Sequence, residues 1–203
     1  MGLVEYHRKR SSTRSPEPRG GKPTGSKLRF TVQKHAASSL HYDFRLELDG
    51  VLKSWAVPKG PSLNPTDKRL ALQVEDHPFD YKDFEGVIPE GNYGAGTVML
   101  WDRGTYESLE PVKGKSEHEQ VIRRGLRKGM LKFRLRGKKL KGEFVLVKTS
   151  TRAPNTWLLI KHRDEHASAE PIPEGADLSV KSGKTLEEIG KREKRASRTR
   201  SQT

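Results

Sequence analysis

The segment LHYDFRLEL, residues 40–48, decides the fold and also points to a site. Alternate side chains of a β-strand face opposite sides of the sheet. The even positions of this segment are apolar, and the odd positions carry His41, Asp43, Arg45 and Glu47. One face can therefore pack on a core while the other presents an imidazole, a carboxylate and a guanidinium in line. The pattern predicts a strand whose polar face is either solvated or part of a site.

Seven further segments between residues 28 and 162 have the same short, β-rich character, and Gly, Pro, Asn and Asp turn signals separate them. They are LRFTVQK (28–34), VLKSWAV (51–57), RLALQVE (69–75), GTVMLW (96–101), MLKFRLRG (130–137), EFVLVK (143–148) and TWLLIKH (156–162). Many short strands at close spacing are typical of a mostly β protein, either a barrel or a sandwich. One stretch with helical spacing, residues 116–129, begins with Ser116 and Glu119 in the spacing of a capping box.

Both ends of the chain are rich in Arg, Lys, Ser, Pro and Gly and lack apolar periodicity. We therefore divide the chain into a basic N-terminal arm (1–27), a β domain (28–167) and a basic C-terminal tail (168–203). Both ends are expected to be disordered. They suit either solvated tails or arms that bind a nucleic-acid backbone.

Charge and composition limit the class of protein. The net charge of +14 attracts polyanions at long range. The absence of cysteine excludes disulfides and thiolate zinc sites, so a metal would need histidine or carboxylate ligands. No apolar run approaches the length of a membrane span, and the N-terminus lacks a secretory signal. We expect a monomeric, cytoplasmic protein with no membrane partner.

Three polar residues at neighbouring strand positions suggest a metal site. His41 and Asp43 lie two apart on one strand face, and His35 ends the preceding strand. Two imidazoles and a carboxylate suit Mn²⁺, Fe²⁺ or Zn²⁺ and leave positions for water and substrate. The alternative is an ordinary solvated strand face, where such residues add little.

A second strand repeats the alternation and adds cationic groups. In RLALQVEDH the apolar Leu70, Leu72 and Val74 alternate with polar or small residues, and His77 follows. This predicts that the leucines face the core and that Arg69, Glu75 and His77 share the polar side. With Arg45 and the loop residue Lys59, these cations could neutralise a phosphate under attack, which favours phosphoryl-ester hydrolysis.

Two other functions fit the same residues. One is a non-catalytic, basic β-barrel module that binds nucleic acid. The other is a non-haem iron oxygenase, whose two histidines and one carboxylate have a similar pattern. The oxygenase leaves Lys59 and the basic arms unexplained, so it ranks third.

The segments HAASSLHYDFRLELDGVLKSWAVPKGPS, RLALQVEDHPFDYKDFEGVIPEGNYGAGTVMLWDRGTYE and WLLIKHRDEHA resemble the 3'-phosphoesterase domain of bacterial ATP-dependent DNA ligase D and its free-standing relatives. The resemblance extends from about residue 6 to residue 166. It implies a manganese-dependent enzyme, for which other divalent metals such as Co²⁺ also serve. Such an enzyme removes a terminal ribonucleoside from a DNA or RNA/DNA 3' end and then removes the remaining 3'-phosphate.

The resemblance also implies a biological setting. We expect a free-standing, nucleoid-associated enzyme of DNA end-joining repair. A separate ATP-dependent DNA ligase or polymerase and a Ku-type end-binding protein would act with it.

By the same resemblance, each matching position receives a role. The metal ligands are His35, His41 and Asp43. The clamp on the scissile phosphate consists of Arg45, His77 and Tyr81, and a second ring of active-site groups consists of Lys59, Arg69 and Glu75. The implied fold is a small closed β-barrel of about eight strands with one or two flanking helices, and the polar strand face would then line the barrel lumen.

The N-terminal arm carries a departure from the family pattern. Arg10 and Glu17 keep the spacing of arm residues that join the active site in the phosphatase step. The family aspartate that follows the arginine is Ser11 here. Serine cannot carry the charge of a carboxylate, so we predict that phosphodiester cleavage is retained and that removal of the 3'-phosphate is weakened.

Overall fold

The computed structural model describes residues 2–10, 15–149, 155–172 and 177–191. Ser11 lies outside these residues. The described chain is mostly β. Its strands are β1 (Leu28–Ala36), β2 (Leu40–Leu48), β3 (Val51–Val57), β4 (Arg69–Gln73), β5 (His77–Pro78), β6 (Gly86–Ile88), β7 (Gly96–Ser108), β8 (Met130–Gly137), β9 (Lys141–Lys148) and β10 (Thr156–Lys161).

Eight of these strands close into an antiparallel barrel. Neighbours follow the order β1, β2, β3, β4, β10, β9, β8 and β7, and β7 pairs with β1 to complete the circle. The two short strands lie off this ring, since β5 pairs with β3 and β6 pairs with β7. The prediction of a closed barrel of about eight strands is confirmed.

The interior of the barrel is apolar. One buried cluster takes side chains from all eight barrel strands, including the even positions of β2 such as Phe44. The indoles of Trp55 and Trp157 meet edge to face near its middle, with ring centroids 6.1 Å apart. A barrel of eight strands is just wide enough to be filled by its own side chains. The polar face of β2 therefore lies on the outer surface of the barrel, and the prediction that it lines the lumen is wrong.

Strand β4 has the opposite orientation to the one predicted. Ala71 lies in the barrel core, whereas Leu70 and Leu72 are 42% and 38% exposed. Register explains the reversal, because Leu72 pairs with the outward Ala56. On the inner side Ala71 pairs with Trp157, and Gln73 accepts a hydrogen bond from Trp157 Nε1 at 3.1 Å. Alternation alone cannot tell which face of a strand points inward.

Helices α1 (Val4–Lys9) and α2 (Lys115–Lys128) and the 3₁₀ helix Phe79–Asp83 accompany the barrel, and residues 186–191 are also helical. Helix α2 is the predicted one, and it buries Val121 and Ile122. Its N-cap is Gly114, which has no side-chain cap, so the predicted capping box does not form. Among the described residues, no helix is long and apolar enough to cross a membrane.

A second layer covers the outer face of β1, β2 and β3. It consists of the N-terminal arm together with the chain from β5 to β6, and its buried apolar cluster contains Tyr6, Leu52, Phe79, Tyr81, Phe84, Ile88 and Val98. The polar face of β2 is enclosed between this layer and the barrel. Asp43, Arg45 and Glu47 are therefore at most 7% exposed.

Part of the C-terminal segment also packs on the barrel. Ile189 joins the barrel core, Asp177 forms a salt bridge with Lys34 at 2.6 Å, and Ser179 donates a hydrogen bond to Glu85. For residues 177–191 the structure thus differs from the prediction of a mobile tail, because the segment has apolar and ionic partners on the barrel. Residues 192–203 lie outside the described residues.

Candidate metal centre and phosphate cleft

The antiparallel pairing of β1 with β2 brings the three predicted metal ligands together. His35 pairs directly with His41, and Asp43 follows two residues later on the same face of β2. One ligand atom from each of the three residues lies within 4.8 Å of the others. The imidazole rings are tilted, with centroids 4.8 Å apart. The hairpin that joins these strands thus creates the cluster by local pairing alone.

Each imidazole is oriented by a backbone carbonyl. His35 Nε2 donates to the carbonyl of Gly94 at 2.9 Å, and His41 Nδ1 donates to the carbonyl of Ser39 at 2.9 Å. The other ring nitrogen of each histidine faces the Asp43 carboxylate, at 3.5 Å from His35 and 3.8 Å from His41. Carbonyl acceptors of this kind fix the tautomer of metal-binding histidines. One ring nitrogen of each histidine and the Asp43 carboxylate thus face one another, and two imidazoles with one carboxylate form a donor set that fits a divalent cation.

The third ligand is held ionised by its neighbour. Burial would by itself raise the pKa of Asp43, but the charge of Arg45 together with the contacts of His35 and His41 outweighs burial and keeps the pKa well below its ordinary range. Arg45 Nη2 lies 3.0 Å from Asp43 Oδ2. A carboxylate that stays ionised is always available to a cation.

Arg45 itself is fixed in place by the sheet. Its side chain is 2% exposed, and it donates from Nε to Gln33 Oε1 and from Nη1 to Ser54 Oγ, both at 2.8 Å. The guanidinium carries five N–H donors. With the Asp43 contact, three are used among the described residues, so two remain for a ligand in the cleft. Gln33 and Ser54 hold the fork in one orientation.

The N-terminal arm contributes a second guanidinium to the same cleft. Arg10 donates to Glu17 at 2.8 Å and to Glu75 at 2.9 Å, and its Nη2 donates to His77 Nε2 at 3.1 Å. The ring of Tyr6 lies beneath this guanidinium, 4.0 Å from its central carbon. Glu17 also accepts a hydrogen bond from Tyr81 at 2.9 Å. Both predicted arm residues therefore reach the site.

His77 is neutral in this arrangement. Burial and the charges of Arg45 and Arg10 hold its pKa well below the ordinary value. Its Nδ1 donates to the carbonyl of Glu75 at 2.9 Å, which leaves Nε2 as the acceptor for Arg10. The histidine thus aligns the arm guanidinium, and its one proton is donated to the carbonyl of Glu75.

These groups surround one cleft of about 310 Å³. Its lining includes the three predicted metal ligands together with Arg45, Arg10, Glu75, His77 and Tyr81. Three carboxylates face three cationic groups in and around it: Asp43, Glu17 and Glu75 against Arg45, Arg10 and Lys9. A divalent cation would give this balanced set a net positive charge, which suits a phosphate ester.

Two predicted site residues lie elsewhere. Lys59 and Arg69 line a different cleft, of about 560 Å³, and Arg69 forms a salt bridge with Asp67 at 2.7 Å. The reversed orientation of β4 explains the position of Arg69. Arg69 lies on the same side of the strand as Ala71 and Gln73, and that side faces the barrel interior, not the outer surface. The structure does not bring either residue to the metal centre.

Four residues of the site were missed by sequence reasoning. Gln33 and Ser54 could have been found by register, because Gln33 pairs with Asp43 and Ser54 pairs with Arg45. Tyr6 and Tyr93 could not, because they reach Arg10 from the arm and from a loop. No periodicity marks such positions.

The geometry agrees with a comparison with known families. A model of the DNA ligase D 3'-phosphoesterase domain matches residues 33–148, which include the three predicted metal ligands and Arg45. The chain belongs to the DNA ligase D 3'-phosphoesterase domain family. The arm residues Arg10 and Glu17 lie before the matched segment.

Two curated proteins show the extent of the family likeness. The chain is 55% identical over 170 residues to the multifunctional non-homologous end joining protein LigD of Pseudomonas aeruginosa, covering 81% of this chain and 19% of that protein. It is 42% identical over 179 residues to the multifunctional non-homologous end joining DNA repair protein LigD of Mycobacterium tuberculosis, covering 87% and 22%. The chain spans about a fifth of the length of these relatives.

Proposed function

We propose that this protein is a metal-dependent phosphoesterase that processes the 3' ends of DNA or RNA/DNA primers in end-joining repair. The observation that carries the proposal is the cluster of His35, His41 and Asp43 beside the anchored Arg45, inside the family-matched segment. Mn²⁺ is the proposed metal and Co²⁺ an accepted substitute, since imidazole and carboxylate ligands accept both.

The metal, when bound to these three residues, would polarise the phosphoryl oxygen and activate water as the nucleophile. The chain's own groups then have separable tasks. Arg45 binds a non-bridging phosphate oxygen through its two remaining N–H donors and neutralises charge that builds up at phosphorus. Tyr81, whose ring lies 4.8 Å below the Arg45 guanidinium, closes the floor of the cleft.

The arm residues act on the opposite side of the phosphate. Glu17 and Glu75 hold the Arg10 guanidinium over the cleft, and neutral His77 keeps its orientation. A 3'-phosphate carries more negative charge than a phosphodiester, so its hydrolysis depends more strongly on a second cationic group beside the phosphate. We therefore assign Arg10, Glu17, Glu75 and His77 chiefly to the phosphomonoesterase step, with Arg10 as the group that meets phosphate.

The direct test uses a duplex primer with one 3'-terminal ribonucleotide, incubated with Mn²⁺ or with EDTA. We expect loss of the terminal nucleoside with Mn²⁺ and no reaction with EDTA. Binding without turnover across Mn²⁺, Co²⁺ and Zn²⁺ would instead favour the non-catalytic binding module. The iron oxygenase would share the two histidines and the carboxylate, but the guanidinium groups of Arg45 and Arg10 beside them suit phosphate.

The same primer tests the consequence of Ser11. We predict that a 3'-phosphate intermediate accumulates in the wild type and that Ser11→Asp shortens its lifetime, because a carboxylate restores the charge of the family residue. Product lengths and 3'-phosphate content followed over time on a denaturing gel measure both steps. Ser12→Asp is the matched control, since it adds the same charge one residue further along the arm. Prompt conversion to 3'-hydroxyl in the wild type would contradict the prediction.

A further inference from the structure

A second cleft, of about 410 Å³, lies on the outer surface of the barrel away from the metal centre. Four of the side chains that line it are cationic: Arg29, Lys82, Arg103 and Lys138. Only one carboxylate, that of Asp83, belongs to the same described lining. We call this surface the basic cleft.

The single carboxylate leaves most of this charge uncompensated. Asp83 is shared, since Lys82 lies 2.7 Å and Arg103 lies 2.9 Å from its two oxygens. Within the described residues, neither Arg29 nor Lys138 has an ion-pair partner. The basic cleft thus carries several positive charges at an exposed surface, which is the signature of an anion-binding site.

The loop that carries Lys138 is held from below by Asp102. This buried carboxylate accepts backbone N–H bonds from Lys138 at 2.9 Å, from Lys139 at 3.2 Å and from Leu140 at 2.8 Å. The Asp102 carboxylate is occupied by these backbone hydrogen bonds, and Asp102 does not belong to the cleft lining. The cationic loop is therefore a fixed part of the surface.

The basic cleft and the metal centre are two ends of one surface. Arg29 and His35 are both odd positions of β1 and lie on the same face of that strand. The 3₁₀ helix Phe79–Asp83 crosses the strand between them, where Thr31 donates to the carbonyl of Lys82 at 3.1 Å. This helix presents Tyr81 to the metal centre and presents Lys82 to the basic cleft.

We propose that the basic cleft binds the sugar-phosphate backbone of the nucleic acid whose 3' end occupies the metal centre. The proposal rests on the proposed function for the position of the 3' end, but not for the binding of backbone phosphates. His35 follows Arg29 by six residue steps along β1, a distance of about 20 Å. Duplex DNA advances about 3.4 Å for each nucleotide of a strand, so the cleft meets phosphates about six base pairs from the end.

Because of the distance between the two sites, the contribution of the basic cleft to binding should depend on duplex length. A hairpin of four base pairs, closed by an uncharged linker, spans about 14 Å and ends before the basic cleft. A hairpin of fourteen base pairs passes it. The test variant is Arg29→Ala/Arg103→Ala/Lys138→Ala, prepared in the His41→Ala background so that the substrate is not consumed.

Fluorescence anisotropy over a range of salt concentrations gives the result. For the long hairpin we expect the triple variant to bind at least about tenfold more weakly than its parent. The slope of log affinity against log salt concentration should fall by the amount that corresponds to about three lost phosphate contacts. The short hairpin should bind the variant and its parent alike. Arg29→Lys/Arg103→Lys, which keeps both charges, should retain the affinity for the long hairpin.

The matched control removes three charges from another part of the surface. Arg127, Lys128 and Lys132 are exposed residues at α2 and β8, and Lys128 and Lys132 line a cleft of about 370 Å³ there. Their replacement by alanine lowers the net charge equally and should leave binding of the long hairpin nearly unchanged. Equal weakening in both triple variants, or equal weakening for both hairpins, would overturn the proposal.

The experiment separates this proposal from the proposed function. Hydrolysis is measured on the wild-type chain with metal, whereas backbone binding is measured without turnover. A wild type that hydrolyses no 3' end, together with a length-dependent loss in the triple variant, would reject the enzyme and support the basic cleft. Normal hydrolysis by the wild type, with no length-dependent loss of binding in the triple variant, would support the enzyme and reject the basic cleft.

Discussion

Replacing His41 by alanine should abolish hydrolysis of a 3'-ribonucleotide primer while leaving DNA binding largely intact. Loss of residues that merely orient a metal ligand costs about 10–100-fold in affinity or activity, so loss of a ligand should exceed about 100-fold. His41 is partly exposed and its ring packs on His35, so its removal takes away no core side chain. Steady-state rates with saturating Mn²⁺ measure the loss.

The two controls for this prediction address metal binding and general histidine loss. Calorimetric titration with Mn²⁺ should show weaker binding to His41→Ala than to the wild type. His166→Ala changes an exposed histidine whose described ionic contact is with Glu165, and it should retain full activity. A His41→Ala protein that hydrolyses the primer at the wild-type rate would refute the assigned metal centre.

Replacing Arg45 by lysine should lower kcat by about 100-fold with a smaller effect on KM. Lysine keeps the charge but cannot reproduce the fork that reaches Gln33, Ser54 and Asp43 at once. The lost contact is expected to matter most when negative charge builds up at phosphorus. Initial rates over a range of primer concentrations separate kcat from KM.

Arg134→Lys is the matched control for Arg45→Lys. Arg134 is also a strand arginine in ion pairs, but its side chain is 43% exposed. Exposed pairs contribute at most about 1 kcal/mol, so both the rate and the unfolding midpoint should stay near the wild type. If Arg45→Lys keeps wild-type kcat, phosphate is not bound by this guanidinium.

Much of the site could be predicted from short stretches of sequence. His35, His41, Asp43 and Arg45 lie on two strands joined by a short connection, and antiparallel pairing of such strands places them together without help from distant residues. The carbonyl partners of the two imidazoles are less accessible to prediction. Ser39 is local to His41, but Gly94 reaches His35 from a loop 59 residues away in sequence.

The failure at Arg69 comes from the orientation of a strand. Arg69 was predicted to share the polar side with His77 because both follow the same alternation, yet the pairing of β4 turns Ala71 to the core. Lys59 was predicted at the site as a loop cation and again through the family resemblance, and it lies in the other cleft. A period of two fixes which residues share a face and leaves the direction of that face open.

The sequence by itself determined the strands, their alternation and the local group of two histidines and a carboxylate, because these depend on neighbours a few residues apart. Only the tertiary structure decided that the barrel fills its interior with apolar side chains, so that the polar face of β2 lies outside. It also decided that Arg10 and Glu17 close over that face. These two outcomes depend on packing and strand register between residues that are far apart in the sequence, so local sequence patterns do not reveal them.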